Sequence, residues 1–386
     1  MDLAGKSGRG GRLSPKVTFV VPCYQLAHFL PDCIDSILSQ TYQDFEILIL
    51  DDFSLDNTPE VASSYQDPRV RYVRNECNMG HLRNYNKGIG LARGKYIWLI
   101  SADDCIRRKY ALERYVNLME QQPKVGYVFC PAVGLVDGKE TGLLRYSSVG
   151  KRDAVFNGRQ FLLSKLLGTG CIAAPTAMAR KECYEKISLF PLDMPHQGDI
   201  YLWSLFALRH DVGYFSDPMV YYRRHNAGME VTLKRKDPGI LFSDNLAVLW
   251  RTKREAKNAG WDAVASKCID RVTDFYRHRL EAKSFDPSTF GITLDDFESS
   301  LRSNASSPEE VRKIRSKVYA GLGDAYYGRK RFDEALHFYK QAMSDSRRMP
   351  KVFAKYWLLR FGALGIRLRD IAFVYRNRTA GRKSDP

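Results

Sequence analysis

Apolar positions along this chain follow two regimes. Up to about residue 236, short unbroken apolar runs alternate with segments of helical period. Val17-Thr18-Phe19-Val20-Val21, Phe45-Glu46-Ile47-Leu48-Ile49-Leu50 and Tyr96-Ile97-Trp98-Leu99-Ile100 read as buried strands. Ile34, Ile37 and Leu38 follow the first at helical spacing, and Val61 and Tyr65 follow the second. Alternation of this kind specifies βαβ units, an α/β fold and a mostly parallel sheet. From about Asp237 only helical period remains.

Between these regimes the pattern loosens. Lys124 to Cys130 is strand-like, and Pro131 to Gly158 is rich in turn residues. Asn157 to Leu167 reads as helix, and Cys171 to Arg180 as a strand with Pro175 at or near a sheet edge. Asp199 is placed to N-cap the helix that begins Ile200-Tyr201-Leu202. Val220-Tyr221-Tyr222-Arg223-Arg224-His225 reads as a last strand ending in a histidine.

In the all-α region 237–346, Phe242 to Ala259 and Trp261 to Lys283 read as long amphipathic helices, with a polar stretch from Ser284 to Pro308 after them. Within about 309–344, Tyr319, Leu322, Gly323, Tyr326, Ala335, Tyr339 and Ala342 match a tetratricopeptide-type helix pair. One such pair cannot bury its own face, so it packs on neighbours or on a protein partner. An ordinary helical hairpin fits the same residues.

The strand ends carry the candidate chemistry. Open α/β sheets bind ligands outside the carboxyl ends of their strands. Three runs deliver Tyr24, Asp51-Asp52 and Asp103-Asp104 to that edge. Paired acids there can hold a hard divalent cation, normally shared with substrate phosphates. Taken singly, such a pair after a strand is more often a solvated turn or a helix cap.

Length and composition add bounds. At 386 residues the chain can bury one large core and a second, smaller unit. No apolar stretch reaches the ~18 residues of a membrane span. Residues 1–15 are Gly-, Arg- and Ser-rich without an apolar segment, which reads as a flexible leader. The eight cysteines are scattered, with no Cys-x-x-Cys, which argues for reduced thiols in the cytoplasm and against structural zinc.

Formal net charge is +16, and residues 347–386 hold eleven Lys and Arg against two acids. The same segment carries Val352, Phe353, Tyr356, Trp357, Leu359, Ala363, Leu364 and Ile366 at helical spacing. A basic amphipathic tail suits an anionic membrane surface, each cation being worth about 1 kcal/mol there. A helix packed on the body with its charges outward is the alternative. Nucleic acid is not an expected partner, since no helix-turn-helix, zinc or RNP-type motif accompanies the charge.

Several motifs in order resemble family 2 glycosyltransferases of GT-A fold, over about residues 16–226. They are Val20-Val21-Pro22-Cys23-Tyr24-Gln25, Ser36 through Asp56, Asn78-Met79-Gly80-His81-Leu82-Arg83-Asn84, Ala92-Arg93-Gly94-Lys95-Tyr96-Ile97 and the Asp103-Asp104 strand end. The resemblance implies a Rossmann-like nucleotide-sugar-binding domain over 16–236. It implies transfer, with inversion, from a nucleotide-sugar donor (UDP-sugar favoured) to a hydroxyl acceptor on a glycan or lipid-linked glycan, as in cell-surface polysaccharide synthesis. Such enzymes work in the cytoplasm, some of them peripherally on the inner face of the membrane.

The same resemblance assigns Mg²⁺ or Mn²⁺ to Asp104 with Asp103 beside it, and places His225 against the metal–diphosphate. Nucleotide binding falls to Pro22, Tyr24, Asp51, Asp52, Arg83 and Asp103, and the general base is Asp199. Two positions depart from the family pattern: Ser101 stands where an acid is common, and Gly198 where the first acid of a pair is common. A glycosidase would also use paired acids but needs no nucleotide site. A non-catalytic nucleotide-binding or protein-binding scaffold would leave the strand-end acids unexplained.

Overall fold

The computed structural model describes residues 14–167, 171–286, 290–346 and 349–361. The leader through residue 13 and the tail beyond 361 lie outside the described residues. The chain divides into two compact units, one through Val264 and one from Ala265.

Among its described residues the first unit contains twelve strands: β1 (Val17–Cys23), β2 (Phe45–Asp51), β3 (Val70–Arg74), β4 (Tyr96–Leu99), β5 (Cys105–Ile106), β6 (Val125–Phe129), β7 (Ala132–Val136), β8 (Lys139–Leu143), β9 (Ala154–Phe156), β10 (Met178–Arg180), β11 (Asp211–Tyr214) and β12 (Val220–Arg223). Eight form one sheet in the order β3-β2-β1-β4-β10-β6-β11-β9. β1 pairs in parallel with β2 and β4, β2 with β3, and β6 with β11. β10 runs against β4 and β6, and β9 against β11. A smaller sheet, β5-β12-β7-β8, continues beside it.

Strand order reverses between β1 and β4, and in doubly wound sheets a crevice opens at the carboxyl ends where that happens. β1 and β2 are buried along their whole lengths, as unbroken apolar runs require. Phe19 packs on Phe45 and Trp98, and Trp98 stacks on Tyr115 at 4.7 Å.

Thr18 and Glu46 interrupt those runs for a shared reason. The Thr18 hydroxyl donates to Glu46 at 2.7 Å and accepts from Gly94 N–H at 2.8 Å, while Arg93 ion-pairs with Glu46. A Cβ on Gly94 would lie 2.5 Å from the Thr18 nitrogen, 2.6 Å from the Val17 carbonyl carbon and 2.9 Å from the Tyr96 oxygen. All three are backbone atoms and cannot swing aside. Gly94→Ala is therefore expected to destabilise the fold by about 1–3 kcal/mol, read by urea unfolding; unchanged stability would mean that strand β4 can shift freely at its start.

Two local expectations are corrected. The residues around Pro175 form a 3₁₀ turn (Ala174–Thr176), and only Met178–Arg180 is strand, at the centre of the sheet and not its edge. The turn is fixed by Trp98 Nε1–H donating to the Pro175 carbonyl and the Tyr115 hydroxyl to that of Thr176, both at 2.8 Å. The polar stretch 284–308 contains a helix, Leu294–Asn304, opened by a reciprocal Thr293–Asp296 capping box. The helix Ile240–Asn258 falls in the sheet-bearing unit.

The second unit is helical. Pro308–Gly328 and Phe332–Asp345 form a tight hairpin, with Gly323 against the Tyr339 ring and Tyr326 stacked on Phe338 at 5.4 Å. Arg315 Nε donates to Asp345 at 2.6 Å across it. Pro350–Arg360 follows. Among the described residues no helix is long and apolar enough to cross a membrane.

Candidate active site

The turn after β4 is sewn to β1 and to β12. Ile100 N–H donates to the Val20 carbonyl at 3.0 Å, and Ala102 N–H to that of Pro22 at 3.1 Å. Those bonds continue the β1–β4 pairing and place Asp103 and Asp104 at the carboxyl end of β4, beside the order reversal. Pro22 is buried, and its carbonyl accepts from Ala102 N–H.

From β12, Arg223 N–H donates to Asp104 Oδ1 at 2.8 Å, and its Nε donates to the Asp103 carbonyl at 2.7 Å. The guanidinium also pairs with Asp32 at 2.8 Å and lies 4.5 Å from the Phe29 ring centroid. His225 Nε2–H donates to Asp103 Oδ2 at 3.0 Å, its ring packed on Phe29. The sequence-predicted trio Asp103, Asp104 and His225 is thus assembled, and Arg223, not singled out from the sequence, is what holds it.

Electrostatically this turn is incomplete. Burial, and then the neighbouring Asp103 carboxylate, hold the Asp104 carboxyl well above the usual range. Asp103 Oδ1 is buried and has no hydrogen-bond partner. Among the described residues no group of three or more His, Cys, Asp or Glu is arranged for a metal. Two adjacent carboxylates with an idle oxygen suit a hard cation that completes its shell with waters and substrate phosphates. Such a charge would also reverse the elevation of Asp104.

The acids after β2 have internal partners. Asp51 accepts from Ser54 N–H at 2.8 Å and the Tyr72 hydroxyl at 2.7 Å, with Arg74 3.6 Å away. Asp52 accepts from Asn75 Nδ2 at 2.8 Å, Met79 N–H at 2.9 Å and Gly80 N–H at 3.0 Å. Asp52 therefore fixes the start of the helix His81–Leu91, where Gly80 adopts φ +83°. Tyr24 stands 43% exposed beyond β1, while Arg83 is exposed on that helix without a described side-chain partner.

On the other side, Asp199 lies in the first turn of the helix Gly198–Ala207. The N-cap position belongs to Gln197, a correction to the sequence reading. The Asp199 carboxyl accepts from Ile200 N–H at 2.7 Å and from its own backbone N–H, and burial nevertheless pushes it up to about 6. The preceding loop is fixed from both flanks. Asn86 and Phe190 exchange two 2.9 Å bonds, and His81 Nε2–H donates to the Pro195 carbonyl at 2.9 Å. From the helix Ile240–Asn258, buried Asp244 accepts from His196 N–H at 2.7 Å and Gln197 N–H at 3.0 Å.

Tyr85 links the two halves. Burial, then Asp103, Asp199 and Asp104 around it, push its phenol up. Tyr222 and Tyr146 are raised by burial first and also feel Asp104. Sequence reading missed all three tyrosines. Tyr85 stands four residues after His81 and packs on it, a spacing that could have revealed it. Tyr146 lies in an irregular stretch that carries no periodic signal.

A family model described as Glycosyl transferase family 2 matches residues 18–188. The glycosyltransferase GlyG of Streptococcus pneumoniae serotype 4 is 35% identical over 115 residues, 29% of this chain and 38% of that protein. An uncharacterized glycosyltransferase of Rickettsia felis is 29% identical over 218 residues, 55% of this chain and 33% of its own length. Another, RT0329 of Rickettsia typhi, is 27% identical over 220 residues, covering 65% of its length. The chain thus spans between a third and two thirds of these curated relatives. In fold, it is similar to residues 1–349 of S. aureus TarS, solved with UDP-GlcNAc, at a TM-score of 0.57 and 15% identity, covering 90% of this chain and 92% of that one.

Proposed function

We propose that the protein, whose residues 18–188 match the model of glycosyl transferase family 2, moves a sugar from a nucleoside-diphosphate sugar, a UDP-sugar favoured, to a hydroxyl of a glycan or lipid-linked glycan. The transfer is a single displacement with inversion, serving cell-surface polysaccharide or glycolipid synthesis at the cytoplasmic face of a membrane. One observation carries this reading: the idle, buried Asp103 oxygen beside buried Asp104, with Asp199 disposed around the same Tyr85.

In this reading Asp103 and Asp104 hold Mg²⁺ or Mn²⁺, which when bound neutralises the charge growing on the departing diphosphate. His225 and Arg223 orient the two carboxylates. Tyr24 offers an exposed ring to the base, and Arg83 a free cation to the phosphates. Asp51 and Asp52 shape the loops of the base pocket, and the base N–H would have to share Asp51 or Asp52 with the chain's own donors. Asp199 takes the proton from the acceptor hydroxyl.

A base acts when ionised, so kcat is expected to rise with pH and level off above about 6, the value to which burial brings Asp199. The stability term has the opposite sense. A carboxyl raised on folding contributes fully below its unfolded value and loses that contribution as pH rises through about 6. A pH–rate profile flat from pH 5 to 8 would remove Asp199 from the proton transfer. The donor class is tested by thermal shifts with UDP-, GDP-, dTDP- and CDP-sugars, each with and without Mg²⁺ or Mn²⁺. Stabilisation by one nucleotide class, and only with metal, is expected; stabilisation by none of them contradicts the reading.

A further inference from the structure

Helix Pro350–Arg360 has two unlike sides. Val352 and Tyr356 are buried on its inner side, and Lys355 Nζ reaches Asp324 at 2.7 Å. Its outer side carries Phe353, Trp357 and Phe361, which are 55, 38 and 64% exposed. Successive ring centroids lie 6.0 and 6.2 Å apart, so the three rings form one continuous strip. Exposed Lys351 and Arg360 flank it, the Arg360 guanidinium 5.6 Å from the Trp357 ring.

Within the helix the charge has one sign, and the neighbouring Asp324 is taken by Lys355. Pro350–Arg360 contains no Asp or Glu, and residues 362–386 add six Lys and Arg against two acids. A second copy seated on the strip would set two cationic rims against each other. An anionic bilayer satisfies both features together: aromatic rings settle at headgroup level, and Lys and Arg reach lipid phosphates along their apolar stems.

We propose that the Phe353–Trp357–Phe361 face of Pro350–Arg360 is a docking surface for anionic phospholipid. The proposal specifies the membrane side of the functional reading above and depends on no part of the donor chemistry. Full-length protein is sedimented with phosphatidylcholine vesicles that contain, or lack, phosphatidylglycerol. Wild type is expected to bind the anionic vesicles, and less so as salt rises. Replacing both rings (Phe353→Ser with Trp357→Ser) is expected to weaken that binding at least about tenfold. Since both side chains are largely outside the core, the melting temperature and the nucleotide-induced thermal shift should stay at wild-type values. The charge variant Lys351→Gln with Arg360→Gln should lose much of the salt dependence.

Equal sedimentation of the ring variant and wild type would overturn the proposal. So would a wild-type dimer, seen by analytical ultracentrifugation, that the ring variant abolishes while vesicle binding persists. Loss of nucleotide response in wild type would instead strike the donor reading and leave the vesicle result standing.

Discussion

Asp104→Asn should lower sugar transfer at least about 10³-fold, because the side chain's charge supports electrostatic stabilisation worth several kcal/mol in the transition state. The substitution is close to isosteric. Its amide oxygen still accepts from Arg223 N–H, so the tie between β12 and the turn survives. Making buried Asp104 neutral also removes the burial penalty, and the repulsion from half-buried Asp103, that hold it above the usual range. Stability without metal should therefore stay level or rise, while metal-dependent binding of nucleoside diphosphate disappears. Asp104→Ala should lose the same binding and, in addition, leave the Arg223 N–H without its acceptor, at about 1–3 kcal/mol. Undiminished metal-dependent affinity in either variant, measured by calorimetry, would take Asp104 out of the metal site.

For Asp199→Asn the expected loss is in turnover alone, about 10²–10⁴-fold, the usual worth of a general base. The Ile200 N–H keeps an acceptor, and a half-buried ionisable group becomes neutral. Stability at neutral pH should be unchanged or higher, donor affinity should match wild type, and the rise of rate through about pH 6 should vanish. A variant that melts earlier yet turns over normally per folded molecule would assign Asp199 to holding the helix start.

How far the sequence reveals this molecule depends on the range of the interactions. β1, β2 and β4 were legible almost to the residue, because strands buried on both faces must be apolar throughout. β10 was not. It is three residues long, and the turn before it is held by Trp98 and Tyr115, far away in sequence. The helix Leu294–Asn304 escaped notice because Phe297 and Leu301 are its only fully buried side chains, although Thr293 and Asp296 signalled its cap.

The site divides in the same way. Asp103 and Asp104 announced themselves as acids ending an apolar run, and the family resemblance supplied His225. The bond joining Asp103 to His225 spans 122 residues, and the clamp from Arg223 spans 119 and 120, distances at which no local pattern exists. Asp199 was found, but its helix was given the wrong cap. What holds that helix start is Asp244, which reaches back 48 and 47 residues from a helix beyond the region the family model matches. Asp51 and Asp52 show the converse: a strand-end acid can look free in sequence and be saturated by the loops it organises.

The most direct measurement is a crystal of the protein grown with UDP and Mn²⁺, with the metal located by its anomalous signal. The expected map has Mn²⁺ bonded to carboxylate oxygen of Asp103 or Asp104 and to the diphosphate of the same UDP. Mn²⁺ and diphosphate seated away from both carboxylates would contradict the assignment of this strand edge as the donor site.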